Sequence, residues 1–130
     1  MANIPVGTKG EEQILVTSDV AIDFLGVEEA RVLATPMLIM HLEMAARNSV
    51  KGLLDEGHDT VGTHVNVAHL AATPIGMAVT FRSEVLSVED RRINFKVEAF
   101  DEKERIAEGT HQRAIVNIAK FAARIQAKAK

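Results

Sequence analysis

The amino-acid sequence predicts an α+β fold, an antiparallel sheet of about five strands wrapped around one long helix. Three observations lead there. From Met37 to about Leu54 neither Gly nor Pro occurs until Gly52, and the first half of that stretch is apolar on most of its circumference. The segments that follow alternate apolar and polar residues with period two. The connections between them are short enough for hairpins, which favours antiparallel pairing.

Taken in order, Glu12 to Thr17 (EQILVT) reads as an opening strand, with about the first ten residues loose before it. SDVAIDFLGVEEARVL mixes acidic and apolar residues without a clean period and reads as loop with a helical turn or two. Thr35-Pro36 marks the helix start, Thr as N-cap and Pro at the first helical position, with Gly57 as a natural C-cap. Val61 to Leu70 is the next strand, placing Thr63, Val65, Val67 and His69 on one face. Met77 to Val88 turns Val79, Phe81 and Val85 inward, and a turn at Glu89-Asp90-Arg91 leads to a strand that buries Ile93, Phe95, Val97 and Ala99. Ile106 to Ile118 is the last strand. The tail, about residues 122–130, has helix-forming composition with little to bury and is expected to fray.

A chain of 130 residues fits one domain with one core, and hydrophobic residues at 47% against charged residues at 25% describe an ordinary globular protein. No apolar run approaches the roughly 20 residues of a membrane span, so no membrane partner is expected. The net charge of −3 and the absence of Trp and Tyr argue against nucleic acid. Without cysteine there are no disulfides, thiolate metal sites or thiol nucleophiles, and the expected compartment is the cytoplasm. Arg91-Arg92 and Lys103 to Arg105 are either solvated charges at turns or contacts for the phosphates of a nucleotide-like cofactor. A curved sheet leaves edge strands open, and pairing them with a second copy predicts a homodimer.

Glu43 is the outstanding residue, an acid set between Leu42 and Met44 in the most apolar part of the helix. Burying it without a partner costs several kcal/mol. The nearest candidate is Arg47 at i+4, the favoured orientation for a helical ion pair; the alternative is an acid poised for catalysis or for orienting a histidine. His69 ends its strand on the face of Val65 and Val67 and should point toward the helix, as a packed core group or a proton carrier. His64 and His111 look more exposed. Thr35, at a helix N-terminus, caps the helix, and its position is also one where an oxyanion would be stabilised. Gly62 would let a ligand approach the backbone, and Arg113 could hold a carboxylate, a phosphate or a cross-strand partner. No His or carboxylate pair has metal-site spacing, so neither metal nor cofactor is expected. Thr35 and Glu43 are about 12 Å apart along the helix at roughly 1.5 Å per residue. Joining them needs a bridging His69 or a residue of a second subunit.

The segments ATPMLIMHLEMAA, VGTHVNVAHLAATPIG, RSEVLSVEDRRINFKVEAFD and AEGTHQRAIVNIAKF, running from about Val32 to Phe121, resemble the hot-dog-fold acyl-CoA thioesterases grouped with fluoroacetyl-CoA thioesterase. The resemblance implies a sheet around a long helix, a dimer with sites at the subunit interface, and hydrolysis of a short-chain acyl-CoA to a carboxylic acid and free coenzyme A. It places Thr35, Glu43 and His69 at the family's catalytic positions, and Gly62 and Arg113 at its substrate-positioning ones. Where the fluoroacetyl-specific member has aromatic residues just before the catalytic Thr and Gly after it, this chain has Arg31-Val32-Leu33 and Pro36. That departure points to a broader acyl-CoA hydrolase. Two other readings fit the same residues: a hot-dog hydratase or dehydratase, and a non-catalytic dimeric module that binds an acyl-CoA or other small ligand.

Overall fold

The computed structural model describes residues 3–130. Five strands form one antiparallel sheet in the order β1 (Lys9–Leu15), β3 (Ala78–Glu89), β4 (Arg92–Phe100), β5 (Arg105–Asn117), β2 (His58–His69). Two three-residue 3-10 turns, Ser18–Val20 and Glu28–Ala30, occupy the segment read as loop with helical turns. Helix α1 spans Thr35–Lys51, and a terminal helix α2, Ile118–Ala129, follows β5.

Alternation builds the core as expected. Val79, Phe81 and Val85 of β3 and Ile93, Phe95, Val97 and Ala99 of β4 are fully buried against the helix. From α1, Leu38, Leu42, Ala45, Ala46 and Val50 recur at helical spacing and close the other side, each buried leucine contributing roughly 1.5–3 kcal/mol. Burial covers one stripe of α1 and not most of its circumference, for Met40 is 42% exposed. The N-terminal segment read as loose packs from Ile4 onward: Ile4 joins the core, and the Gly7 N–H donates to the Val85 carbonyl.

Helix ends differ from the sequence expectation. Ala34 is the N-cap and makes no side-chain cap bond, while Thr35 is already the first helical residue. The helix stops at Lys51 with Gly52 as its C-cap; Gly57, with φ of +80°, instead makes the turn into β2. The tail read as fraying is helical, yet α2 buries no residue.

β2 lies at one sheet edge, where its pairing with β5 is irregular between Gly62 and His64. Gly109 lets β5 approach it closely. A Cβ there would run into the carbonyl oxygen of Asn66 and stand 2.7 Å from the Val67 Cα. Residues 62–66 are exposed along the outer side of this strand.

Candidate active site

Two polar clusters lie along β2. At its C-terminal end the Thr35 hydroxyl oxygen sits 2.7 Å from His69 Nδ1. Thr35 is the first helical residue and not the N-cap, and its hydroxyl turns to the histidine. When that hydroxyl donates, His69 is the tautomer protonated on Nε2, and Nε2 is buried with no partner among the described residues. Burial pulls the His69 pKa below its ordinary value, with a hydrogen bond to the Ala71 backbone acting against it. The ring is therefore a neutral base above mildly acidic pH. The first turn of α1 adds backbone N–H groups that the helix does not use, beside the Thr35 hydroxyl.

The second cluster surrounds Glu43. Its carboxylate lies 3.7 Å from Arg113 Nη1, and its side chain is 36% exposed. Arg113, on β5, is buried and almost fully engaged: Nε donates to the Thr60 hydroxyl and Nη2 to the Thr60 carbonyl, both at 2.7 Å. Its Nη1 donates to His111 Nε2 at 3.2 Å. His111 in turn donates from Nδ1 to the His64 carbonyl at 2.8 Å and stacks on Phe95. A carbonyl only accepts and a guanidinium only donates, so these two bonds fix His111 as the neutral tautomer protonated on Nδ1. Its pKa is lowered, by burial first and by the charge of Arg113 as well.

Three readings from the sequence are corrected here. Arg47 does not pair with Glu43. It reaches across to β2 and holds Asp59 with two bonds, of 3.1 and 2.6 Å, because Asp59 presents both oxygens where Glu43 points toward β5. His111, read as exposed, is 3% exposed and belongs to the Glu43 cluster. Glu43 itself is half-buried, neither enclosed nor free. Nothing in the sequence singled out His111 or Thr60; the GTHQR stretch carried His111 two residues before Arg113, and two-residue spacing on a strand puts both on one face.

Gly62 faces this second cluster. A Cβ at position 62 would stand 3.4 Å from both Glu43 carboxylate oxygens and 3.3 Å from His111 Cε1, so glycine keeps the space before the carboxylate open. Arg113 pairs with the Glu43 carboxylate at 3.7 Å, one of the contacts the sequence allowed it. The Thr35–His69 pair is not in contact with Glu43 within one chain. Gly62 and His69 are seven residues apart on β2, roughly 23 Å at about 3.3 Å per residue.

Fold and site together define a hot-dog thioester hydrolase: a sheet around one helix, a hydroxyl on a neutral histidine, and a carboxylate held by a buried arginine. A family model described as fluoroacetyl-CoA-specific thioesterase matches residues 16–119. A fluoroacetyl-CoA thioesterase of Streptantibioticus cattleyicolor is 38% identical over 101 residues, 78% of this chain and 73% of that protein. Among solved structures, a threonine-to-serine variant of a fluoroacetyl-CoA thioesterase in complex with acetyl-CoA superposes with a TM-score of 0.89 at 31% identity. It covers 98% of this chain and 100% of that one. A thioesterase superfamily member from Thermus thermophilus gives 0.89 at 29% identity, covering 99% and 96%. The chain belongs to the fluoroacetyl-CoA-specific thioesterase family.

Proposed function

We propose that this acyl-CoA thioesterase hydrolyses small acyl-CoA esters at a site completed by two copies of the chain. The observation that carries the reading is the 2.7 Å contact between the Thr35 hydroxyl and His69 Nδ1. His69 accepts the proton as an oxygen nucleophile attacks the thioester carbonyl, and the departing thiolate of CoA takes a proton back from the imidazolium. The nucleophile is the Thr35 oxygen itself or a water held beside it. The N–H groups at the start of α1 stabilise the oxyanion. Water supplies the elements that leave as the carboxylic acid.

Glu43 enters from the other subunit. Antiparallel pairing of two β2 edges about a two-fold axis between Val65 and Asn66 sets Gly62 opposite the partner's His69, since both lie the same number of residues from that axis. Glu43, 3.4 Å behind the Cβ position of Gly62, then stands near the otherwise unpartnered Nε2 of the partner's His69. The exposed outer residues of β2 and the uncovered Met40 support this pairing. The acetyl-CoA complex of the relative supports a small acyl group. Arg31 stands just before Thr35 in the chain and spends its guanidinium on Ser18 and the Ile22 carbonyl.

The test is thiol release from a panel of acyl-CoA esters, read with a chromogenic reagent. Turnover of small acyl esters is expected, falling a hundredfold or more in Glu43→Gln and in His69→Ala, on the scale of roughly 10²–10⁴ for acid–base groups. CoA esters that bind without thiol release, or variants that turn over as the native protein does, would contradict it.

A further inference from the structure

Between Arg113 and the edge strand lies a buried histidine, His111. Strand alternation sets it beside Arg113 on the inner face of β5, directly across from Val65 of β2. Its two nitrogens serve different elements. Nδ1 donates to the His64 carbonyl at 2.8 Å, where the β2–β5 ladder is irregular and Thr63 drops out of register. Nε2 accepts from Arg113 Nη1 at 3.2 Å. One ring thus ties the guanidinium of the Glu43 cluster to the backbone of β2.

A guanidinium carries five N–H groups in one plane, and every acceptor it meets constrains that plane. Arg113 donates to the Thr60 hydroxyl, the Thr60 carbonyl and His111 Nε2. All of these acceptors are uncharged. They orient the guanidinium without neutralising it, and the carboxylate within ion-pair distance of its charge is Glu43, with Oε2 at 3.7 Å from Nη1. His111 and Glu43 therefore meet the same nitrogen, the imidazole taking one of its hydrogens and leaving one for the acid. A separation of 3.7 Å is longer than a hydrogen bond, so attraction alone does not fix where the carboxylate sits. Thr60 grips only the Nε and Nη2 edge, and the Nη1 end needs a third hold. His111 also walls the space that the acid faces: a Cβ at position 62 would stand 3.3 Å from His111 Cε1 and 3.4 Å from both Glu43 oxygens.

We propose that His111 is a positioning residue for Glu43: by accepting an Nη1 hydrogen it fixes the plane of Arg113, and so aims the carboxylate at the space before Gly62. The inference rests on the thioesterase reading for what Glu43 does there. Only a neutral ring serves, because an imidazolium would present a donor and a like charge to the guanidinium. Burial first, then the charge of Arg113, lowers the His111 pKa against the opposing effects of Glu43 and the His64 bond, and keeps the ring in its accepting form. The competing role is structural: the Nδ1 bond stitches β5 to β2, and the ring stacks on Phe95 with centres 6.1 Å apart.

Two side-chain amides separate these roles, because the amide of Gln reaches the place of Nε2 and that of Asn the place of Nδ1. His111→Gln keeps an acceptor for Arg113 and gives up the His64 carbonyl, and His111→Asn does the reverse. Thiol release from acetyl-CoA by the full-length protein should be at least about tenfold faster in kcat for His111→Gln than for His111→Asn, with similar KM. In a Glu43→Gln background that gap should shrink to about twofold or less, since His111 acts through the carboxylate. Either of two results would overturn the inference: His111→Asn as fast as His111→Gln or faster, or the same gap with and without Glu43. Crystal structures of the two variants read the position of the acid without any turnover. The contact between Arg113 Nη1 and Glu43 should persist in His111→Gln and lengthen in His111→Asn, and a contact unchanged in both would likewise overturn the inference. Failure of the thioesterase reading is seen separately, as absent thiol release by the native protein from every CoA ester.

Discussion

His69 meets the Thr35 hydroxyl through Nδ1, and burial pulls its pKa below the ordinary value. As a base it works only when unprotonated. Burial lowers its pKa, so kcat/KM should rise with pH through a midpoint below about 6.5, the ordinary value for histidine, and be flat above it. A pH–rate profile with its acid limb centred above that value would show that His69 is not the base. This contact is between residues 34 positions apart, and no spacing rule reads such a pair from sequence. His69 could be assigned a direction from strand alternation, and Thr35 a place at a helix start, but that they touch is a product of tertiary packing. The same limit produced the error at Glu43. The i+4 rule offered Arg47, a local partner, while Asp59 and Arg113 competed from other strands and won.

At the scale of elements, period-two alternation recovered the four later strands to within a few residues, because inward Val, Ile and Phe leave an unambiguous signature between short turns. It was silent on what ties helix to sheet. Arg47 of α1 and Asp59 of β2 form that tie, with Lys51 adding a 3.4 Å contact. Burial pushes the Asp59 carboxyl upward, yet the hydrogen bonds from Arg47 and the Thr60 N–H, with the charges of Arg47 and Lys51, outweigh it and hold the pKa at about 2. A carboxyl depressed in the folded state adds stability that is present above its unfolded value of about 3.9 and is lost as pH falls through the folded one. Asp59→Asn should therefore unfold at lower urea concentration than the native protein at pH 7, and the gap should close between about pH 4 and pH 2. A gap that stays constant across that window would remove the pair from the stability of α1 against β2. Gly109→Ala tests the other support of β2. Its Cβ meets the backbone of Asn66 and Val67, which has no flexible end to move, so a loss of about 1–3 kcal/mol is expected in chemical denaturation, together with reduced turnover as β2 shifts.

At the scale of the whole molecule, one chain holds two polar clusters that do not meet. Thr35 and His69 lie at one end of β2, and Glu43 and Arg113 lie near its other end. The sequence led to the expectation of a second copy only in general form, from an open sheet edge and two catalytic candidates too far apart on one helix. The proposed β2 pairing makes that expectation specific, and it separates this account from one in which each chain works alone. Mixing two inactive variants, Glu43→Gln and His69→Ala, after joint unfolding and refolding, measures it most directly. Random reassociation makes half of the dimers mixed, and each mixed dimer has one site with both residues intact, so about a quarter of native thiol release should return. If the mixture refolds to native-like dimers and remains as inactive as its components, Glu43 and His69 do not act across the subunit boundary, and the account of the site is wrong.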